Sequence, residues 1–190
     1  ATTEIYTLSL HDALPISLTD EQVERYARHL ILKGVGVKGQ KRLLASSVLI
    51  IGAGGLGSPV ALYLAAAGVG RIGLVDGDMV DLSNLQRQII HTTARVNEPK
   101  VESAAAAIRE LNPDVTVDTY YELVDANNIA GLIEAYDLVI EATDNFAAKF
   151  LINDACVLAN KPYIHAGVVG FAGQVMTVIP RSEERRVGKE

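Results

Sequence analysis

The sequence predicts an α/β fold with a Rossmann-like, mostly parallel sheet, helices on both faces of the sheet and a helical segment before it. Three observations lead to this prediction. Short apolar stretches of strand length alternate along the chain with stretches of helical composition, which is the pattern of strand-helix-strand units. The apolar stretches are nearly free of charge, as expected for strands buried on both faces. A glycine cluster, Gly52–Gly57, lies between the first of these strands and the helix that follows it.

The two ends of the 190-residue chain are left out of this prediction. Residues 1–17 and 181–190 resemble one sequencing-adaptor oligonucleotide translated from its two opposite strands, so we expect both to be artefacts. Residues 18–180 are then expected to form one nucleotide-binding domain that is incomplete at its C-terminal end.

The composition excludes several classes of protein. A formal net charge of −6 gives no basic surface for DNA or RNA. One cysteine excludes a disulfide framework and a four-cysteine zinc site, and it predicts a reducing, cytoplasmic location. The uncharged stretch Ser46–Gly70 has the length of a membrane helix. Its glycines and Pro59 favour a buried strand, a turn and a buried helix instead, so we expect no membrane association.

The first element is predicted to be one amphipathic helix over Leu18–Leu32. Thr19 is followed three residues later by Gln22, the spacing of a reciprocal capping box at a helix start. Arg25 and Arg28 would lie on one face of this helix, where they would face solvent unless one of them reaches a phosphate.

The glycine cluster is predicted to connect a strand over Val48–Ile51 to a helix over Ser58–Ala67, with Ser58 as its cap and Pro59 at its first position. A second strand ends at Asp76. A polar stretch then extends to Pro99, and a loop of this length in a compact domain is usually functional. The remaining elements alternate: a helix over 100–111, a strand over 115–121, a helix near 125–135, a strand over 137–142, a helix over 145–160 and a strand over 163–167.

The glycine cluster predicts an adenine-nucleotide site. Gly52, Gly54 and Gly57 have the G-x-G-x-x-G spacing, with Gly55 as an additional glycine. The first glycine permits a tight turn, the second lets the backbone approach phosphate, and the third permits close packing of helix on strand. Asp76 follows the next strand, where a carboxylate can accept hydrogen bonds from ribose hydroxyls. These residues leave NAD and ATP both open.

Four polar residues after Asp76 favour a triphosphate over a dinucleotide. They are Asp78, Asn84, Arg87 and Lys100, and the two cations suit a larger negative charge than that of a pyrophosphate. As isolated residues, the cations would be interpreted as solvated surface charges. Their place between two nucleotide-binding strands is the reason for the ATP interpretation.

Asp144 and Asn145 follow the apolar strand of "EATDN" at the sheet edge where ligands bind. A carboxylate there can hold Mg²⁺ that bridges nucleotide phosphates. Either residue can instead cap the next helix. The spacing does not separate these roles.

Cys156 and the histidines are predicted to be structural. Helical spacing places Cys156 with apolar residues, so an inert core position is favoured over a nucleophile. The histidines have no partners for metal binding or nucleophilic catalysis, so polar core or loop positions are expected for His29, His91 and His165.

Six segments together resemble the MoeB/ThiF/HesA family, the bacterial relatives of ubiquitin-activating enzymes. In chain order they are "RYARHLIL", "GAGGLGSP", "LVDGDMVDLSNLQRQIIH", "NEPKVESA", "LNP" and "EATDN". The resemblance covers Leu18–Pro180, and the stretch from Asp76 to His91 followed by Pro99 and Lys100 is far more specific than the glycine motif.

The resemblance implies an ATP-dependent adenylyltransferase that activates the C-terminal glycine of a ubiquitin-like sulfur-carrier protein, with Mg²⁺ as cofactor, in molybdopterin, thiamine or related sulfur transfer. It implies roles by motif position: ribose binding for Asp76, nucleotide binding for Gly55, Ser83 and Asn84, phosphate binding for Arg87 and Lys100, and Mg²⁺ binding for Asp144. Arg28 matches an arginine that is donated across a homodimer to the ATP phosphates.

The sequence also departs from the family pattern. Members usually carry two C-x-x-C pairs that bind structural zinc, and some use a later catalytic cysteine; both would lie after Pro180, and Cys156 matches neither. We therefore expect this chain to be weakly active or inactive by itself. Two alternatives stay open, an NAD-dependent oxidoreductase and a non-catalytic nucleotide-binding module. A relative that activates a small molecule or a modified tRNA base is also compatible with the sequence.

Overall fold

The computed structural model describes residues 18–180, so the two terminal segments that we assign to a translated adaptor lie outside the described part. The strands are β1 Ser47–Ile51, β2 Arg71–Val75, β3 Thr116–Tyr120, β4 Leu138–Glu141, β5 Tyr163–Val169 and β6 Ala172–Val178. The helices are α1 Asp20–Arg25, α2 Ala27–Leu30, α3 Gly36–Ala45, α4 Gly57–Ala67, α5 Lys100–Leu111, α6 Ile129–Glu134 and α7 Phe146–Leu158.

The six strands form one sheet in the order β3-β2-β1-β4-β5-β6. The pairs from β3 to β5 are parallel, and β6 is antiparallel to β5. The chain order reverses at β1, which pairs with β2 on one side and with β4 on the other. The prediction of a mostly parallel, Rossmann-like sheet is therefore confirmed, and the reversal creates a crevice at the carboxyl ends of β1 and β4.

Helices cover both faces of the sheet, as predicted. Val48 and Ile50 of β1 pack with residues of α4 and α5 in one hydrophobic core. Leu49 and Ile51 point to the other face and pack with residues of α6 and α7 in a second core. Cys156 is completely buried in this second core, so the structural interpretation of Cys156 is confirmed.

The prediction of one continuous helix over Leu18–Leu32 was wrong. The capping box of Thr19 and Gln22 is present, but the helix ends at Arg25 and α2 begins at Ala27. Tyr26 between them is buried, and its hydroxyl accepts a hydrogen bond of 2.8 Å from Asn112 Nδ2. Burial of this ring fixes the turn, and tertiary packing overrides the local helical pattern.

The prediction that Ser58 caps α4 was also wrong. The helix begins one residue earlier, at Gly57, and has no side-chain cap. Ser58 is buried inside the first turn, and its hydroxyl has no hydrogen-bond partner among residues 18–180. The polar stretch between β2 and α5 is a loop, as predicted, and contains two short 3-10 turns, Leu82–Asn84 and Thr93–Arg95.

Within residues 18–180, no helix combines the length and the apolar character that a membrane span needs.

Candidate nucleotide-binding site

The glycine loop packs tightly against the backbone on both sides. Gly52 has φ of +102°, and a Cβ on it would lie 2.7 Å from the Ala142 carbonyl oxygen in the segment that follows β4. A Cβ on Gly57 would lie 1.9 Å from the Gly52 carbonyl oxygen. Only glycine fits at these two positions, which supports the turn and packing roles predicted for them.

Gly54 and Gly55 are partly exposed, and a Cβ on either would make only ordinary van der Waals contacts. A Cβ on Gly54 would approach no atom closer than 3.6 Å, and a Cβ on Gly55 none closer than 3.5 Å. The nearest atoms belong to Gln88 and Arg87 of the following loop. The loop backbone is therefore accessible at these positions, as backbone that approaches a phosphate must be.

Asp76 is half-buried directly after β2 and already holds two backbone groups. Its Oδ2 accepts a hydrogen bond from the Ala53 N–H and its Oδ1 accepts one from the Asp78 N–H, both at 2.8 Å. Each carboxylate oxygen keeps a further lone pair. Asp76 thus ties the glycine loop to the second strand and can still accept from ribose hydroxyls.

Lys100 is a buried cation at the start of α5. It is only 6% exposed, and its Nζ donates a hydrogen bond of 2.7 Å to the exposed carboxylate of Asp78. Charge-assisted hydrogen bonds of this kind fix both partners. The interpretation of Lys100 as a solvated surface charge is therefore wrong.

Arg87 lies over the glycine loop and is exposed to solvent. Its Nη2 donates to Asn84 Oδ1 at 3.3 Å, and its aliphatic stem is the nearest neighbour of Gly55. Asn84 Oδ1 also accepts a hydrogen bond of 2.9 Å from Gln88 Nε2. The Ser83 backbone N–H and hydroxyl both donate to Asp81, and the Ser83 hydroxyl oxygen accepts a hydrogen bond of 3.5 Å from Asn84 Nδ2.

His91 holds the glycine loop from the other side. Its Nε2 lies 3.0 Å from the Ala53 carbonyl oxygen and its Nδ1 lies 2.9 Å from Ser103 Oγ. Because a carbonyl oxygen only accepts, the proton of neutral His91 is on Nε2, and Ser103 donates to Nδ1. Burial lowers the pKa of His91 below its ordinary value of 6.5. The prediction of a polar core role for His91 is confirmed.

The sequence left helix capping and Mg²⁺ binding open for Asp144 and Asn145, and the structure decides the capping role. Asn145 caps α7, because its Oδ1 accepts a hydrogen bond of 2.8 Å from the Ala148 N–H. The exposed carboxylate of Asp144 makes no hydrogen bond or ion pair within residues 18–180. A free carboxylate at the carboxyl end of β4 fits Mg²⁺, which usually binds one or two carboxylates together with substrate phosphates.

Arg28 is not part of this cluster. It lies on α2, exposed and without a hydrogen bond or ion pair in the described range. Arg25 lies on the separate helix α1 and donates to the Leu111 carbonyl oxygen, so the prediction that the two arginines share one helix was wrong.

The glycine loop, Asp76, Asn84, Arg87 and Lys100 therefore converge at the carboxyl ends of β1 and β2, while the segment before Asp144 contacts the same loop. No group of three His, Cys, Asp or Glu side chains in residues 18–180 could hold a metal ion by itself. Sequence reasoning missed Gln88, which is buried beneath Gly54 four residues after Asn84. Because this stretch was predicted to be a loop, no sequence signal indicated that Gln88 would contact Asn84.

Known proteins are similar to this chain in sequence and in fold. The model of the ThiF family matches residues 26–186. The chain is 50% identical to "Adenylyltransferase and sulfurtransferase MOCS3-1" of Zea mays, over 84% of this chain and 34% of that protein. It is 46% identical to "SAMP-activating enzyme E1" of Haloferax volcanii, over 88% of this chain and 62% of that protein. The chain thus spans between about a third and three fifths of the length of these relatives.

A solved structure of E. coli MccB with ATP superposes on 83% of this chain and 48% of its own, with a TM-score of 0.75 and 28% identity. The similarity of fold therefore extends to a protein that was crystallised with ATP.

Proposed function

Because the chain belongs to the ThiF family, we propose that it is the nucleotide-binding part of an adenylyltransferase that activates the C-terminal carboxylate of a ubiquitin-like sulfur-carrier protein. The observation that carries the proposal is the pair of cations at the glycine loop. Arg87 lies over Gly55, and Lys100 is fixed on Asp78 in the adjoining segment. This arrangement suits a triphosphate, and relatives are named as adenylyltransferases.

In the proposed reaction the carrier's carboxylate oxygen attacks the α-phosphorus of ATP. A new O–P bond forms, the bond from the α-phosphorus to the leaving oxygen breaks, and pyrophosphate leaves with the electron pair. The substrate supplies the nucleophile, so no side-chain nucleophile is needed. Arg87 and Lys100 reduce the repulsion between the two anions, and cations fixed in advance lower the cost of reorganisation in the transition state.

Other residues bind the nucleotide in this proposal. Asp76 would accept hydrogen bonds from the ribose, and Gly54 and Gly55 would expose backbone N–H groups to phosphate. Asp144 would hold Mg²⁺, which neutralises phosphate charge when bound. Arg28 is exposed and unpaired within residues 18–180. It would reach across a homodimer to the phosphates of the ATP that is bound to the partner subunit.

The proposal also covers structural zinc and the biological role of the reaction. The chain has one cysteine, buried in the core, so the proposal assigns it no zinc site. The reaction would supply sulfur for the biosynthesis of molybdopterin or thiamine, or for a related sulfur transfer, and it would take place in the cytoplasm.

Thermal unfolding of the 190-residue chain tests the nucleotide assignment, since a ligand that binds only the folded state raises the melting temperature. We expect stabilisation by ATP with Mg²⁺, less stabilisation by ATP with a chelator, and none by NADH. Stabilisation by NADH alone would replace the proposal with an NAD-dependent oxidoreductase. Stabilisation by Mg-ATP, without carrier-dependent pyrophosphate exchange in the longer parent protein, would indicate a non-catalytic nucleotide-binding module.

Arg87→Ala tests the phosphate assignment. We expect it to weaken ATP affinity by about 10- to 150-fold and AMP affinity much less, because a charge-assisted hydrogen bond contributes about 1.5–3 kcal/mol. Lys38→Ala removes an exposed cation on α3 and is the matched control. Equal losses for ATP and AMP would mean that Arg87 does not contact the outer phosphates.

A further inference from the structure

Glu141, the last residue of β4, is a buried carboxylate that the proposed chemistry does not use. Its side chain is 0% exposed. Isolated buried carboxylates are unfavourable, and one that is retained must be paired and hydrogen-bonded. The groups around Glu141 therefore indicate what this charge holds in place.

Two of these groups belong to the segment that leads to Asp144. Thr143 donates to Glu141 Oε1 through its backbone N–H at 2.7 Å and through its hydroxyl at 2.6 Å. The two bonds fix the chain direction at the residue immediately before Asp144. Asp144 itself has no hydrogen bond among residues 18–180, so its direction depends on this turn and on the Asn145 cap that follows.

The remaining groups attach Glu141 to α7 and β5. Lys149 Nζ donates to Oε1 at 2.9 Å and to Oε2 at 2.8 Å, and its third hydrogen bond goes to the Ala166 carbonyl oxygen at 2.8 Å. His165 Nδ1 lies 2.8 Å from Oε2 and donates to it, while its Nε2 lies 3.3 Å from the amide of Gln174 on β6.

Glu141 thus accepts five hydrogen bonds from four donor groups on three residues, and its two oxygens have no free direction for a metal ion. A carboxylate saturated in this way cannot bind Mg²⁺ directly. It can hold the segment that carries a metal-binding residue, and outer partners of this kind commonly change metal affinity by 10–100-fold.

We propose that Glu141 is a positioning residue for the cation site: with Lys149 and His165 it anchors Thr143, and it thereby sets the direction in which Asp144 presents its carboxylate. This inference rests on the proposed role of Asp144 in Mg²⁺ binding. The contacts of Glu141 with Thr143, Lys149 and His165 are therefore expected to affect the affinity for Mg²⁺ and not the affinity for the nucleotide in the absence of Mg²⁺.

The test compares ATP affinity of the whole chain across a titration with Mg²⁺ and in the presence of chelator, by calorimetry below the melting temperature. Glu141→Gln keeps the shape of the side chain but removes the charge. We expect it to raise the Mg²⁺ concentration needed for half-maximal affinity by about tenfold, while ATP affinity in chelator stays unchanged. Thr143→Val, which keeps the pairing of Glu141 with Lys149, should shift the Mg²⁺ requirement in the same direction.

Asp118→Asn is the matched control for loss of a partly buried charge. Asp118 lies on β3, three positions away from β4 in the sheet, and its Oδ2 accepts hydrogen bonds from Arg71 Nε and from the Tyr136 hydroxyl. We expect this variant to be less stable without any change in the Mg²⁺ requirement. An equal change in the Mg²⁺ requirement for Asp118→Asn and Glu141→Gln would overturn the positioning role.

Asp144→Ala separates the two levels of inference. If Asp144→Ala keeps the Mg²⁺ dependence of the native chain, the proposed role of Asp144 fails. If Asp144→Ala abolishes that dependence while Glu141→Gln and Thr143→Val both keep the native Mg²⁺ requirement, only the positioning role of Glu141 fails.

Discussion

At the scale of single residues, Gln88 is the most informative side chain of the site after the cations. It is 4% exposed, its Nε2 orients Asn84, and its Oε1 has no hydrogen-bond partner within the described range. An unsatisfied buried acceptor costs about 1–3 kcal/mol. The Gln88 amide therefore does not increase stability. It orients Asn84, whose Oδ1 also accepts a hydrogen bond from Arg87.

Gln88→Leu should separate stability from binding. Since it removes an unsatisfied acceptor, we expect the free energy of unfolding to change by less than about 1 kcal/mol. The substitution also removes one hydrogen bond that orients Asn84, so we expect the affinity for ATP to fall up to about tenfold. The control is Gln40→Leu, because Gln40 is also buried but has hydrogen-bond partners for both Oε1 and Nε2, namely His29 and the Ala67 carbonyl oxygen. It should lower stability and leave ATP affinity unchanged. Unchanged ATP affinity in Gln88→Leu would contradict the orienting role.

His91 predicts a dependence of stability on pH. Burial lowers the pKa of His91 in the folded chain, and the nearby charge of Lys100 acts in the same direction. As pH falls below about 6.5, the unfolded chain therefore binds a proton that the folded chain does not. Stability should decrease by at most about 1.4 kcal/mol per pH unit from this residue until the folded pKa is passed.

Denaturant unfolding between pH 7 and 5 measures this effect. His91→Gln is expected to be less stable than the native chain at pH 7 and to show a flatter decline in stability towards pH 5. An unaltered slope in His91→Gln would show that His91 is not the group responsible.

At the scale of elements, the glycine loop contains two kinds of glycine. The fold requires glycine at position 57, whereas a side chain would fit at position 54. Gly57→Ala would place Cβ 1.9 Å from a carbonyl oxygen, so it should prevent folding or lower stability by more than about 4 kcal/mol. Gly54→Ala meets only the Gln88 amide at 3.6 Å. It should fold normally and lose ATP affinity, because the new methyl group occupies the approach to the backbone. Circular dichroism with ATP titration measures both, and normal ATP binding by Gly54→Ala would place the phosphates elsewhere.

The sequence predicted the elements whose signals are local. The capping box at Thr19, the buried strand β1 and the helix after Pro99 all lie where expected. The break at Tyr26 could not be predicted, because it depends on a hydrogen bond from Asn112, which lies far along the chain. Helix α3 was missed because it begins at Gly36, with φ of +58°, and has a weak start signal.

The positions of the candidate site residues could be predicted from the sequence, but the side chains that contact them could not. The phosphate and ribose candidates follow from motif spacing, and the structure brings most of them to one edge of the sheet. The pairing of Glu141 with Lys149 and His165 joins a strand end, a helix and a neighbouring strand. No spacing along the chain indicates such a contact, since it arises only when the sheet forms.

At the scale of the whole molecule, Cys156 reports on opening of the core. It is completely buried, and burial raises the pKa of its thiol to about 12. A thiol reagent at pH 8 should therefore label it only through opening of the fold, and Mg-ATP should slow the labelling in proportion to the stabilisation. Labelling at the rate of a free thiol in the native protein would contradict the core position.

The order of the sheet also determines when its centre can be completed during synthesis. One edge of β1 pairs with β2, which follows after a single helix, but the other edge pairs with β4, and Ser47 bonds to Asp137 across a separation of 90 residues. At a synthesis rate of about 5–20 residues per second, β1 emerges from the ribosome roughly 5–20 seconds before its second neighbour. During that interval an apolar strand has an open edge, and unpaired edges of this kind make an incomplete chain prone to aggregation.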